Sequence, residues 1–132
     1  GIIAYGSTHH AIGESRDQMR KEHGLGCDYL RIRALPVNQT VRDFIAKHDR
    51  VYVVEQNRDG QMYDILRLEV GGEVSTKLRS VRHYNGLPID ARFITDAIEA
   101  EEKKLSPRKS EPQTQQHSQS VCDPVNTKVG AQ

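Results

Sequence analysis

Short apolar runs and glycine-bounded amphipathic stretches take turns along most of the chain. Val51-Tyr52-Val53-Val54 is continuous rather than alternating, β-branched and too short for a helix, the pattern of a strand covered on both faces in a parallel sheet. Ile2–Tyr5 reads the same way. In Cys27–Leu35, Leu30, Ile32 and Ala34 alternate with Arg31 and Arg33, which predicts a strand with one buried face and one near water or a partner. The spacings between these runs are helical. Ser7 or Thr8 caps a helix running to about His23, with a weak apolar stripe (Ala11, Ile12, Ser15, Met19) and a stop at Gly24 and Gly26. Pro36 ends the second strand, and Asn38 or Thr40 caps a helix over Val41–His48 with Val41, Phe44 and Ile45 on one side. A third helix starts near Gln61, with Met62, Ile65 and Leu66 at helical spacing and Gly71-Gly72 as its stop.

Val74–His83 fits a helix or a strand, the strand reading centring on Leu78–His83. Asn85-Gly86 is a turn. Pro88-Ile89-Asp90 then opens a last helix capped at Asp90, with Ile94, Ala97 and Ile98 inward and Glu99–Lys104 in solvent. Strands alternating with helices predict an α/β fold, a parallel sheet with right-handed crossovers and helices on both faces. From residue 105 onward Pro, Gln, Ser and Lys dominate, with no aromatic residue and no apolar period. Such a stretch cannot offset the roughly 1–2 kcal/mol per residue of backbone ordering, so two parts are expected: a domain over 1–104 and a disordered tail over 105–132.

Composition narrows the function. The chain has 132 residues, 36% hydrophobic and 28% charged, with a net charge of +1, which leaves no electrostatic footprint for nucleic acid or a membrane surface. No apolar run reaches the roughly 20 residues of a membrane span, and no signal-peptide pattern is present. Two distant cysteines, Cys27 and Cys122, make neither a disulfide framework nor a metal knuckle, so a cytoplasmic setting is expected. Cys27 reads as a small buried apolar residue. The apolar strand that begins immediately after Gly1 makes the chain read as a piece of a longer polypeptide.

Candidate chemistry gathers after the strands, at the edge where open α/β sheets meet ligands. In Glu55-Gln56-Asn57-Arg58-Asp59-Gly60-Gln61, Glu55 can accept hydrogen bonds, Asn57 and Gln61 can fix a ligand or a neighbouring domain, and Gly60 permits close backbone approach. The same spacing suits a plain strand-to-helix turn with Asp59 capping and Gly60 at positive φ. Gly6-Ser7-Thr8 can hold an anion at a helix N-terminus, or simply cap it; it has neither the glycines of a dinucleotide fingerprint nor the lysine of a phosphate loop. Arg31 and Arg33 suit an anion clamp or an edge strand guarded against pairing. The six histidines are scattered with no i, i+4 metal pair, and no serine sits in a nucleophile elbow.

Taken together, IIAYGST, YLRIRALP, VYVVEQNRDGQM and LRSVRHYNGLPIDAR resemble the C-terminal domain of the alpha subunit of 2-oxoacid:ferredoxin (acceptor) oxidoreductases, the 2-oxoglutarate (2-oxoglutarate synthase) type above all. The resemblance spans Gly1 to about Ala100. It implies a three-layer α/β/α unit like the C-terminal domain of transketolase, with a mostly parallel sheet of four to five strands. The family's one antiparallel strand comes from sequence before the segment matching Ile2. It further implies oxidative decarboxylation of a 2-oxoacid to its acyl-CoA in a complex using thiamine diphosphate, Mg, an iron–sulfur cluster and coenzyme A. The partners implied are the remainder of the alpha subunit, the beta subunit, and ferredoxin through the complex. This stretch carries no thiamine motif and too few cysteines for a cluster, so it is expected to bind no cofactor, to hold no catalytic residue and to be inert alone. It would shape subunit, coenzyme A or substrate contacts through Glu55, Asn57, Gly60 and Gln61, then Gly6 and Ser7. A free-standing flavodoxin-like binding module or a dimerisation module is the competing reading.

Overall fold

The computed structural model describes residues 1–105. Its elements are β1 (Ile2–Tyr5), a 3-10 turn (Gly6–Thr8), α1 (His9–His23), β2 (Tyr29–Ile32), α2 (Gln39–Lys47), β3 (Val51–Glu55), α3 (Gln61–Val70), a second 3-10 turn (Glu73–Lys77), β4 (Leu78–Arg82) and α4 (Ala91–Leu105). The strands form one sheet in the order β2-β1-β3-β4, every neighbouring pair parallel. This is an α/β/α sandwich of the transketolase C-terminal type, with four strands among the described residues.

The strand sequences decide the layers. Ile2, Ala4, Tyr52, Val54 and Val81 face α1 and α4, packing on Ile12, Met19, Ile94 and Ile98. Their alternates Ile3, Val51, Val53 and Leu78 face α2 and α3, packing on Val41, Ile45, Met62 and Leu66. All five residues of β3 are buried, as a central strand roofed on both faces must be. Ser15, in the weak stripe of α1, is also buried, and its hydroxyl lies 3.0 Å from that of Thr95 on α4. Thr95 also donates to the Gln18 carboxamide oxygen at 2.8 Å, so this polar seam is hydrogen-bonded as burial demands.

Several expectations are corrected. The second strand covers Tyr29–Ile32 rather than Cys27–Leu35, because among the described residues it pairs only with the four-residue β1, from Ile2↔Tyr29 to Tyr5↔Ile32. Ala34 is consequently exposed and Cys27 half-buried outside the strand. Neither Ser7 nor Thr8 caps α1: Thr8 is already helical (φ −54°, ψ −27°) at the end of the 3-10 turn. Asn38, not Thr40, caps α2, accepting the Val41 N–H at 3.3 Å. Val74–His83 divides into the second 3-10 turn and β4, which stops at Arg82. Asp90 caps α4 as expected, taking the Phe93 N–H at 2.8 Å.

Glu102 also departs from the solvated face predicted for the end of α4. Its carboxylate takes Arg50 Nε at 2.7 Å, a second bond from the same guanidinium, and the Tyr52 hydroxyl at 2.7 Å. Arg50 holds the Glu102 carboxyl below its ordinary range, while burial, then the Glu102 bond, pushes the Tyr52 phenol up. The expected tail, with Cys122 and His117, lies outside the described residues; α4 itself runs to Leu105.

Candidate functional site

In the order β2-β1-β3-β4, the chain leaves β1 toward one edge of the sheet and later crosses to the other, so the switch point falls between the carboxyl ends of β1 and β3. All six residues singled out from sequence lie there. Gly6 and Ser7 belong to the turn after β1, and Glu55, Asn57, Gly60 and Gln61 to the connection from β3 into α3.

The connection after β3 is held by its own side chains. Glu55 is fully buried, and its carboxylate accepts the backbone N–H groups of Met62 at 2.9 Å and Tyr63 at 3.1 Å. Those are orphan donors of the first turn of α3, and a carboxylate there also meets the positive end of the helix dipole. The Asn57 carboxamide donates to the same carboxylate at 2.6 Å, and its oxygen accepts from Asp59 N at 2.9 Å and Gly60 N at 2.7 Å. Asp59 therefore caps nothing; it pairs with Arg58 at 2.7 Å. Gly60 sits at φ +72°, and a Cβ there would stand 3.4 Å from Arg82 Cδ. Glu55, Asn57 and Gly60 thus build the turn, whereas the exposed Gln61 side chain has no hydrogen bond among the described residues.

The residue that joins the two turns is Gln56, named in the loop but not singled out. Its Nε2 lies 3.2 Å from both the Ser7 and the Thr8 hydroxyl oxygens, and its carbonyl oxygen accepts the Ile89 N–H at 3.1 Å. One carboxamide so ties together the connections after β1, β3 and β4. The available signal was position: Gln56 directly follows the central strand at the switch point.

Beside these turns lies a cavity of about 690 Å³, lined by Tyr5, Gly6, Arg31, Ile32, Arg33, Ala34, Leu35 and Met62. It spans the carboxyl ends of β1 and β2 and the start of α3. Arg31 Nη2 donates to the Gly6 carbonyl at 3.3 Å, which holds its guanidinium against the cavity wall. Next to it, His9 meets the Tyr29 hydroxyl at 3.1 Å, and its pKa is pushed down by desolvation, then by Arg31, His10 and Arg33. Among the described residues no group of His, Cys, Asp and Glu is arranged to hold a metal ion, and no helix is long and apolar enough to cross a membrane.

The fold and its switch-point crevice define an α/β domain of the transketolase C-terminal type. No family model and no curated protein matches the chain. Among solved structures it is similar to a chain of the 2-oxoglutarate:ferredoxin oxidoreductase from Magnetococcus marinus, solved with 2-oxoglutarate, coenzyme A and succinyl-CoA bound. The two are 28% identical with a TM-score of 0.65 over 76% of this chain, which spans 17% of the length of the other.

Proposed function

We propose that the chain is the C-terminal, transketolase-like domain of the alpha subunit of a 2-oxoacid:ferredoxin oxidoreductase of the 2-oxoglutarate type, working in the cytoplasm. The observation that carries the reading is the likeness to the Magnetococcus oxidoreductase, at 28% identity over 76% of the chain. The motifs that carry the resemblance supply a turn built at the switch point, the part of such sheets that meets ligands and neighbouring domains.

In this reading the domain is non-catalytic. Thiamine diphosphate with Mg and the iron–sulfur cluster belong to other parts of the complex and supply decarboxylation and electron transfer to ferredoxin. The domain's own work is positioning. Glu55 and Asn57 hold the start of α3 in one geometry, and Gly60 lets the backbone make the turn. Gln61, Ser7 and Gly6 then face the remainder of the alpha subunit, the beta subunit or the path taken by coenzyme A and substrate.

The test is the double variant Asn57→Ala/Gln61→Ala in the intact complex. Turnover or assembly is expected to fall about tenfold or more, the scale of about 1.4 kcal/mol. Wild-type kinetics with normal assembly would dispose of the role.

A further inference from the structure

The sheet order leaves β4 (Leu78–Arg82) paired on one side only among the described residues, to β3. Along a parallel pair every second residue turns its N–H and C=O to the same side. His83 N donates to the Glu55 carbonyl at 3.0 Å, so the odd-numbered residues face β3, and Leu78, Ser80 and Arg82 present their backbone groups outward. Edge strands are commonly blunted by lysine, proline or a bulge. β4 has none of these: its register with β3 is unbroken from Leu78 to Arg82. Beside the strand a groove of about 320 Å³ runs between Val81 and α4, with Tyr84, Phe93, Ala97 and Ala100 along it. Phe93, Ala97 and Ala100 stand at helical spacing; the first two are half-buried, Ala100 is exposed, and Tyr84 is 63% exposed. Strand edge and helix flank form one continuous surface.

We propose that this surface joins two copies of the chain, β4 to β4 and antiparallel, about a two-fold axis perpendicular to the sheet at Ser80. Ser80 is the midpoint of β4, so the axis sets Ser80 against its own copy and Leu78 against Arg82. Every outward N–H and C=O of the strand then finds a partner. The two arginines do not oppose this pairing. Arg82 faces Leu78 and Arg79 faces Val81, so like charges never stand directly opposite. Arg79 and His83 share with Val81 the sheet face that carries α4. The Arg79 guanidinium of one copy therefore falls diagonally beside the His83–Phe93 aromatic pair of the other, a cation next to ring faces. The helices fit the same axis. Ile94 and Ile98 seat α4 on Tyr52 and Val54 of β3 and Val81 of β4, about one strand spacing of 4.8 Å inside the axis. Its copy then lies about 10 Å away, the distance at which helices pack, and Ala97 and Ala100 are small enough to allow it. A two-fold contact of this kind closes at the dimer. It uses neither Gln61 nor the turn built by Glu55 and Asn57, and does not depend on the chain's place in an oxidoreductase.

The experiment is sedimentation equilibrium of the whole chain from micromolar to submillimolar concentration, with hydrogen exchange of the Ser80 amide measured at both ends of that range. A dimer in reversible exchange with the monomer is expected, with slower Ser80 exchange where the dimer prevails. Ser80→Pro removes an outward N–H and spares the bonds to β3, and is expected to raise the dimer dissociation constant about tenfold or more. Ala100→Glu, an exposed change on the helix flank, puts a carboxylate on each of the two facing helices and is expected to weaken the dimer by about as much. Circular dichroism reports whether each variant keeps its fold; if the proline disturbs it, Ala100→Glu decides alone. The proposal is overturned by a chain that stays monomeric throughout, by species that grow past the dimer, or by a dimer that Ala100→Glu leaves as tight as before. A Ser80 amide already protected in the monomer overturns it too, because the edge is then covered by the chain's own residues 106–132. Because association is read on the chain alone, its failure leaves the turnover test in the complex standing.

Discussion

Glu55, the last residue of β3, accepts the backbone N–H of Met62 at 2.9 Å, so a side chain from the sheet caps the helix that follows it. Burial of this carboxylate is possible because Asn57 and Tyr63 occupy it as well. Glu55→Ala leaves the Met62 and Tyr63 donors and the Asn57 amide without their acceptor. A loss of about 3 kcal/mol is expected in urea unfolding, from the desolvation cost of unpaired donors. Glu55→Gln keeps an acceptor oxygen and should cost less; equal stability of both variants and the unmodified chain would contradict the capping role.

Two glycines predict opposite responses to the same change. Gly60→Ala puts a Cβ at φ +72°, 3.4 Å from Arg82 Cδ, and should destabilise by about 1–2 kcal/mol. Gly13 is exposed within α1 with nothing within 4 Å of a Cβ, so Gly13→Ala should stabilise by roughly 0.4–1 kcal/mol. Denaturation midpoints of the two variants check the pair, and shifts of the same sign would refute it.

Gln56→Ala should loosen three connections together. The hydrogen-exchange protection of the Ile89 amide, now bonded to the Gln56 carbonyl oxygen at 3.1 Å, is expected to fall, with a stability loss of about 1 kcal/mol. An unchanged Ile89 exchange rate would mean that the brace carries no load.

The Glu102 cluster predicts an acid dependence. Arg50 first and Tyr52 also hold the folded carboxyl below its ordinary value, so the unfolded chain binds the proton more readily. The stabilisation is therefore present above the unfolded pKa of about 4.3 and is lost as pH falls from there through the lower folded value. Because solvent reaches Arg50, a contribution of about 1 kcal/mol is expected after screening. Glu102→Gln should remove this part of the acid sensitivity and change stability at neutral pH by that amount; an unaltered acid limb would rule the cluster out.

How much of this was legible in the sequence follows the range of the forces involved. Val51–Val54, the Asn38 and Asp90 caps and the Gly24 stop of α1 are written locally, as apolar runs, short polar side chains and a glycine at φ +64°. The length of β2 is not local: it is set by β1, its single pairing partner among the described residues. Glu102 looked like one more charge on a solvated helix end, because Arg50 and Tyr52, which draw it in, lie some fifty residues earlier. At the switch point the carboxyl-edge placement followed from the strand pattern. The division of labour did not, since the spacing of Glu55, Asn57 and Gly60 suits a ligand site and a self-capped turn equally.

The central claim, that the turn entering α3 is a working face of an oxidoreductase alpha subunit, is met most directly by Gln61→Ala. Gln61 is exposed, and its side chain makes no hydrogen bond that folding of the described residues uses. The measurement is 2-oxoacid-dependent ferredoxin reduction by the intact complex carrying this single change, with assembly followed by gel filtration. The account predicts a fall of about tenfold in turnover or in assembled complex, with the thermal stability of the isolated chain unchanged. Full turnover from a normally assembled Gln61→Ala complex would contradict it.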